Sequence, residues 1–322
     1  MNKDPDYSAA YLILETDNEK LSGHSFVFTC GRGNDLQCRF IEQVAVYAVG
    51  IELDNLARTI GDFARNLVRD TQIRWLGPEK GVTHMAVGAV VNAAWDLISK
   101  AAGKPLWEYL ADLSPDEIVE LVDFRYISDF LSKTEALEIL RKAEPNKAKN
   151  KAKLISEGLP AYTTTPGWLG YSDEKMVRLS QEAVSNGFQL IKLKCGENIE
   201  NDKRRLRLVR EAVGPDIKIA IDANQVWEVD EAISWLNQLQ DFDLHWIEEP
   251  TSPDDIIGHA KIAKAIAPIK VATGEMVQNR IIFKQMLQSK SLSFLQIDST
   301  RVGGINENIA NILMAAKVGI PV

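Results

Sequence analysis

Two lysines and four carboxylates fall at the ends of short apolar runs in this 322-residue sequence. The run FQLIKLK (188–194) closes on Lys192 and Lys194, and IKIAID (217–222) on Asp222. LHWIEE (244–249) carries Glu248, IKVATGE (269–275) ends on Glu275 and FLQID (294–298) on Asp298. Residues two apart in a strand face the same side, so Lys192 and Lys194 point together. Burying such a pair is costly unless anions partner it. Asp222, Glu248 and Glu275 follow one another at intervals of 26 and 27 residues and can converge if their strands are neighbours. Three clustered carboxylates repel one another unless a cation sits among them, and an all-oxygen set suits a hard ion such as Mg2+. A divalent ion holding a carboxylate substrate acidifies the α-proton by stabilising the enediolate. A lysine beside that ion and a second lysine has a lowered pKa and can serve as base near neutrality. Lys194 is assigned that role, with Lys192 holding the carboxylate and neutralising the intermediate. Taken singly, each carboxylate reads equally as a helix cap or a solvated loop residue, and the lysines as the edge of a solvated strand. Recurrence at five strand ends is what favours a site for proton abstraction α to a carboxylate.

The elements that must position these groups follow from periodicity. Residues 9–16 and 24–30 read as two strands joined by the polar stretch 17–23. Helical spacing runs from Ala45 to Val68 and again, rich in small apolar residues, from Val82 to Ala102. This predicts an N-terminal α+β capping domain over 1–120. From LVDF (121–124) onward, strand-like runs alternate with helical stretches at 174–186, 202–213, 230–239, 254–266 and 280–288. Such alternation predicts βαβ units and a parallel sheet. No G-x-G-x-x-G follows a strand, and Gly31-Arg-Gly33 reads as a turn, so a (β/α) barrel over 121–322 is favoured over a doubly wound sheet. A barrel sets its active site at the C-terminal ends of its strands, where the charged residues fall.

Composition removes other classes. Hydrophobic residues at 45% and charged residues at 25% exclude disorder and fibrous repeats. A net charge of −8 with scattered Lys and Arg argues against nucleic acid. Three cysteines (Cys30, Cys38, Cys195) are too few for a disulfide framework. No apolar run approaches a membrane span, and the first residues lack a signal-peptide layout. The expectation is a cytoplasmic protein acting on a small molecule, with no membrane or nucleic-acid partner.

The motifs Lys192-Leu-Lys194, Asp222-Ala-Asn224-Gln225, Trp246-Ile-Glu248-Glu249-Pro250, Thr273-Gly-Glu275 and Gln296-Ile-Asp298 resemble the mandelate-racemase subgroup of the enolase superfamily. The stretches at 5–11, 27–35, 74–82, 92–97, 123–129, 162–175 and 248–255 are similar, within it, to L-fuconate dehydratases. The resemblance implies an enolase-type (β/α) barrel with a capping domain, and Mg2+ held by Asp222, Glu248 and Glu275. It implies that Lys194 takes the C2 proton of an acid sugar, with Lys192 and Asn224 beside the substrate. Loss of the C3 hydroxyl then converts L-fuconate to 2-keto-3-deoxy-L-fuconate. The family's general acid is a histidine on the seventh strand paired with an aspartate on the sixth, which Asp298 matches. Residues 319–322 read as the opening of the seventh strand, so that histidine is expected just past residue 322, and none of His24, His84, His245 or His259 replaces it. His245 alternates with Trp246 and Glu248 and is expected to face the outer helices, while His259 lies in a helix. The chain therefore reads as shortened at both ends, with strands seven and eight missing. Unpaired barrel edges of that kind are an aggregation liability. Relatives of this kind assemble as homo-oligomers, and the resemblance implies the same here. Val226 and Met276 stand where relatives carry polar side chains, which bears on substrate preference.

Rival readings remain open. One is an inactive remnant of such a dehydratase, another a dehydratase or racemase for a different aldonate, and a third a Schiff-base aldolase using Lys194. Three carboxylates beside the lysine argue against the last. Trp75 and Trp168 read equally as pocket walls or as core aromatics, with Trp75 assigned to substrate binding. The basic run 142–153 reads as a solvated helix and its connecting loop. Cys195 alternates away from Lys194 and reads as a buried, inert thiol.

Overall fold

The computed structural model describes residues 7–77 and 79–322. Pro5 and Asp6 of the 5–11 stretch, the rest of the leading hexapeptide, and Pro78 of the 74–82 stretch lie outside the described residues.

Alternation makes the first two strands. Tyr7–Glu15 (β1) and Ser22–Cys30 (β2) form an antiparallel hairpin pairing Tyr7 with Cys30 and Glu15 with Ser22. Ala10 and Val27 are buried on one face, while Tyr11, Ile13 and Phe26 stay exposed on the other. Helices Asn34–Ala45 (α1), Leu53–Val68 (α2) and Gly81–Ala101 (α3) pack on that hairpin. The helix expected to begin at Ala45 starts only at Leu53. Ala45 ends α1, a 3-10 turn follows over Val46–Ala48, and Val49 is extended at φ −71° and ψ 131°. The apolar spacing before Leu53 thus belongs to a turn. By length and composition α3 could cross a membrane, contrary to expectation, yet 72% of its most apolar window is buried inside the fold.

Four short helices come next: Leu106–Asp112 (α4), Pro115–Leu121 (α5), Lys133–Ala143 (α6) and Lys147–Glu157 (α7). Ser114 and Ser132 open α5 and α6 through capping boxes with Glu117 and Glu135. The basic run therefore lies on the exposed α6–α7 pair, as expected. The remainder alternates. Asp173–Ser185 (α8), Leu190–Lys194 (β3), Ile199–Val213 (α9) and Lys218–Asp222 (β4) lead to Val229–Asn237 (α10) and Leu244–Glu248 (β5). Ile256–Ala265 (α11), Val271–Thr273 (β6), Arg280–Gln288 (α12), Phe294–Leu295 (β7) and Ile305–Val318 (α13) complete it.

The sheet runs β3-β4-β5-β6-β7, parallel throughout. The run 121–124 is not one of its strands. Arg65 Nη1 donates to the carbonyl oxygens of Glu120 (2.7 Å) and Val122 (3.3 Å), and Arg280 Nε donates to that of Asp123 (3.1 Å). Guanidinium groups thus take the acceptors that a neighbouring strand would need. The place beside β3 goes instead to Thr163, whose N–H donates to Leu190 O (3.2 Å) and whose carbonyl accepts from Lys192 N (2.9 Å). At the other edge Leu295 N donates to Pro321 O at 3.0 Å, so 320–321 runs alongside β7 as the next strand position.

One apolar cluster, with Ile191, Leu193, Ile219, Ile221 and Ile247, lies between the sheet and its helices. On the opposite face Leu190, Ala220, Trp246 and Ala272 form a separate layer with Phe294. That second face is the barrel lumen, and the lysines stand directly above it in the β3 alternation.

Candidate active site

Strand register sets the core of the site. Lys194 is level with Asp222, and Asp222 with Glu248, across β3, β4 and β5. Lys192, Asp222 and Glu248 are 4%, 1% and 0% exposed, so their charges must be settled among themselves. Lys192 Nζ lies 2.5 Å from Glu248 Oε1 and 3.2 Å from Asp222 Oδ2. Lys194 Nζ donates to Asp222 Oδ2 at 2.6 Å and to Asn224 Oδ1 at 2.7 Å. Burial alone would lower the Lys192 pKa, but Asp222 and Glu248 outweigh it and hold the ammonium well above its ordinary range.

Aromatic rings frame the two ammonium groups. Lys192 Nζ stands 5.2 Å from the Tyr162 ring and Lys194 Nζ 5.4 Å from the Trp168 ring, close enough for cation–π attraction. The loop carrying both rings lies flush on β3 because residue 167 is glycine. A Cβ there would sit 2.1 Å from Lys192 O and 2.6 Å from Leu193 Cα. Arg205 clamps the same loop, donating to Gly167 O (2.8 Å) and Trp168 O (3.1 Å) and also to Lys194 O.

Left-handed residues after the strands add polar groups that alternation does not place there. Asn224 and Gln225 have φ of 44° and 67°, and Glu249 has φ 43°, conformations that cost non-glycine residues free energy. Asn224 N donates to Asp222 Oδ1 at 2.9 Å, and Gln225 Nε2 to Glu249 Oε2 at 3.0 Å. The turn at Glu249 buries it beside Glu248, at 1% exposure, where strict alternation would send it to the other face. Burial and the charge of Glu275 push its carboxyl up to about 8. Glu248 and Glu275 are raised as well, in both cases by burial first and Asp222 second.

The expectation that three carboxylates gather around one point is not met. Among the described residues no group of three His, Cys, Asp or Glu side chains is arranged to hold a metal ion. Asp222 and Glu248 instead turn their oxygens to Lys192 and Lys194, since an ammonium group relieves anion repulsion as a metal ion would. The donor set nevertheless fits a hard cation. Glu248 Oε2 and Glu249 Oε1 are buried without a hydrogen bond among the described residues, and burial, then neighbouring carboxylates, raise the carboxyls of Glu248, Glu249 and Glu275.

The other expected residues divide. Asn224, expected beside the substrate, accepts a hydrogen bond from Lys194. Asp298 does not reach the lysines: its Oδ1 accepts from the backbone N–H and the hydroxyl of Thr300, both at 2.8 Å. Trp75 is 79% exposed on a 3-10 turn and touches none of these groups, whereas Trp168 does. Its loop does approach the mouth, where Gly81 N donates to Gln278 Oε1 at 3.1 Å. Cys195 is buried, with its thiol pKa raised by that burial, an inert group as expected. Of the histidines, His24 binds Tyr11 and Ser22, His84 is buried against Glu307, and His259 is buried in α11. His245 corrects its expectation. As the second residue of β5 it lies at the floor end, and its ring packs 5.1 Å from both Trp246 and Phe294 of the lumen layer. Sequence reasoning also passed over Tyr162, Arg205 and Arg301. Only the carbonyl-binding pattern of Arg205 and the turn geometry reveal these residues, and neither leaves a spacing signal.

Known proteins share this arrangement. The family described as enolase C-terminal domain-like matches residues 175–322. An L-galactonate dehydratase of Hypocrea jecorina is 49% identical over 100% of this chain and 72% of its own length. The crystal structure of human mitochondrial enolase superfamily member 1 superposes with a TM-score of 0.96 at 46% identity, covering 99% of this chain and 73% of that one. An L-talarate/galactarate dehydratase from Salmonella typhimurium, solved with Mg and L-lyxarohydroxamate, superposes at 0.68 with 25% identity, over 97% and 74%. Sharing close to half its residues with such relatives over its full length, the chain belongs to the enolase superfamily.

Proposed function

We propose that this protein is a hydro-lyase that dehydrates a six-carbon sugar acid, abstracting the C2 proton with Lys194. The carrying observation is the hydrogen-bond geometry of that lysine. A neutral amine keeps two N–H bonds and one lone pair, and Asp222 Oδ2 and Asn224 Oδ1 accept the two N–H bonds. The lone pair is left to point away from both. Lys192, buried and held cationic by Asp222 and Glu248, is suited to neutralise the substrate carboxylate as charge builds on it. Trp168 and Tyr162 exclude water from one side of the two ammonium groups.

The step balances as an elimination. The C2–H electron pair moves into the C1–C2 bond as Lys194 takes the proton, giving an enediolate. Return of that pair breaks the C3–O bond, the departing oxygen takes a proton and leaves as water, and the resulting enol becomes a 2-keto-3-deoxy acid. By the family resemblance the proton donor is a histidine oriented by Asp298, whose Oδ2 makes no hydrogen bond among the described residues. Asp222, Glu248 and Glu275 would hold Mg2+, in keeping with the magnesium of the Salmonella typhimurium enzyme. When bound, that ion supplies Lewis-acid stabilisation of the carboxylate.

L-Fuconate is the substrate we favour. It is 6-deoxy-L-galactonate, so it matches at every reacting carbon the acid for which the Hypocrea jecorina relative is named. Incubation with L-fuconate or L-galactonate and Mg2+ should yield a 2-keto-3-deoxy acid, with C2 deuterium incorporated in D2O. Neither product nor exchange with either acid would reject the proposal.

A further inference from the structure

The loop after β7 holds a guanidinium that the fold leaves unsatisfied. Among the described residues, Arg301 Nε is buried with no hydrogen-bond partner, and the only side-chain acceptor for Arg301 is Met85 Sδ, 3.3 Å from Nη1. A thioether is a weak acceptor, and an arginine has five N–H groups to satisfy. A half-buried cation in that state carries a desolvation cost that no strong hydrogen-bond acceptor among the described residues offsets. It also lies within electrostatic reach of Glu275, whose carboxyl it helps to lower.

The loop itself is firmly held. Asp298 Oδ1 binds Thr300, Asn92 Nδ2 donates to Ser299 O (2.9 Å), and Gly303 N donates to Glu307 Oε2 (2.6 Å). Ile305 N is bound by Asn92 Oδ1 at 3.1 Å. Arg301 is therefore presented by rigid backbone, as a preorganised binding group is. It follows β7, whereas Lys192 and Lys194 end β3, at the other end of the five-strand order. A substrate held with C1 and C2 at the lysines would have to extend across the mouth, past Glu275, to meet this loop.

We propose that Arg301 is a specificity-determining residue whose guanidinium binds the oxygen carried on C6 of the sugar acid. This rests on the reading of the site as a sugar-acid dehydratase. A planar guanidinium whose Nη1 meets only a thioether matches a carboxylate with two parallel hydrogen bonds, a hydroxyl with one and a methyl with none.

L-Fuconate, L-galactonate and galactarate supply that series, differing only at C6: methyl, hydroxymethyl and carboxylate. The test is kcat/KM for all three with Mg2+, in the wild type and in Arg301→Gln and Arg301→Lys, with urea midpoints confirming folded variants. Arg301→Gln should lower kcat/KM about 10- to 100-fold for galactarate, several-fold for L-galactonate and less than about threefold for L-fuconate. Arg301→Lys should restore part of the galactarate loss, because the charge survives without the fork. An equal loss on all three acids, or none on any, overturns the role of Arg301 while leaving the dehydratase reading intact. A wild type inactive on all three overturns that reading and this inference with it.

Discussion

Without Mg2+, replacing Lys192 by methionine removes the one ammonium group that meets Glu248 among the described residues. In the native site Nζ lies 2.5 Å from Glu248 Oε1 and 3.2 Å from Asp222 Oδ2, and the side chain is 5% exposed. Methionine keeps most of the volume, so the loss is electrostatic rather than a cavity. Breaking a buried pair by removing one partner costs about 3–5 kcal/mol. The cost must depend on pH. The Glu248 carboxyl is already raised by burial and by Asp222, and without Lys192 it rises further. A carboxyl raised in the folded state contributes stability that is fully present below its unfolded pKa and is lost as pH rises through the folded value. The penalty relative to wild type should therefore be largest near pH 8 and shrink toward pH 5.5, as Glu248 takes up a proton in the folded variant. Each pH unit of that window is worth up to about 1.4 kcal/mol, so the two conditions, about 2.5 units apart, should differ by up to about 3.4 kcal/mol. Equilibrium urea unfolding of both proteins at the two pH values measures this directly. A penalty below about 1 kcal/mol, or one that grows as pH falls, refutes the assignment of Lys192 as the cation that compensates Glu248.

Three further outcomes are expected. Lys194→Met should slow C2-proton exchange of L-fuconate in D2O by about 10^2- to 10^4-fold. Because Lys194 is only partly buried, its urea midpoint should move less than that of the Lys192 variant; exchange at the wild-type rate would remove Lys194 as base. Mg2+ should raise the unfolding free energy by about 2.7 kcal/mol at one hundred times its Kd, and Asp222→Asn should abolish the effect. An equal rise in that variant would place the ion elsewhere. Glu307 is buried, yet His84 and Arg280 outweigh burial and hold its carboxyl well below the usual range. Its contribution is present above the unfolded pKa and lost as pH falls, so Glu307→Gln should cost about 3–5 kcal/mol at pH 7 and progressively less below pH 5. A cost independent of pH in urea titrations would contradict the His84–Glu307–Arg280 network.

Periodicity and strand alternation were enough to locate most of the protein. The hairpin, the long buried α3, the helices α8 to α12 and the positions of Lys192, Lys194, Asp222, Glu248 and Glu275 beside their strand ends are local properties. They follow from side-chain repeats of 2.0 and 3.6, which a linear sequence carries intact. Which run becomes a strand is not local. Val122 and its neighbours have the composition of one, but Arg65 and Arg280, distant in sequence, bind their carbonyls, and Thr163 takes the place beside β3. The charge balance of the site is likewise tertiary. Residue types suggested carboxylates facing a metal ion, while the register of β3, β4 and β5 brings two ammonium groups to them first. Glu249 enters the site through one left-handed residue, Trp168 is chosen over Trp75 by the close approach of Gly167 to β3, and Arg301 is left without an acceptor. Each outcome depends on which backbone atoms meet across the fold, and spacing along the chain carries no information about those meetings.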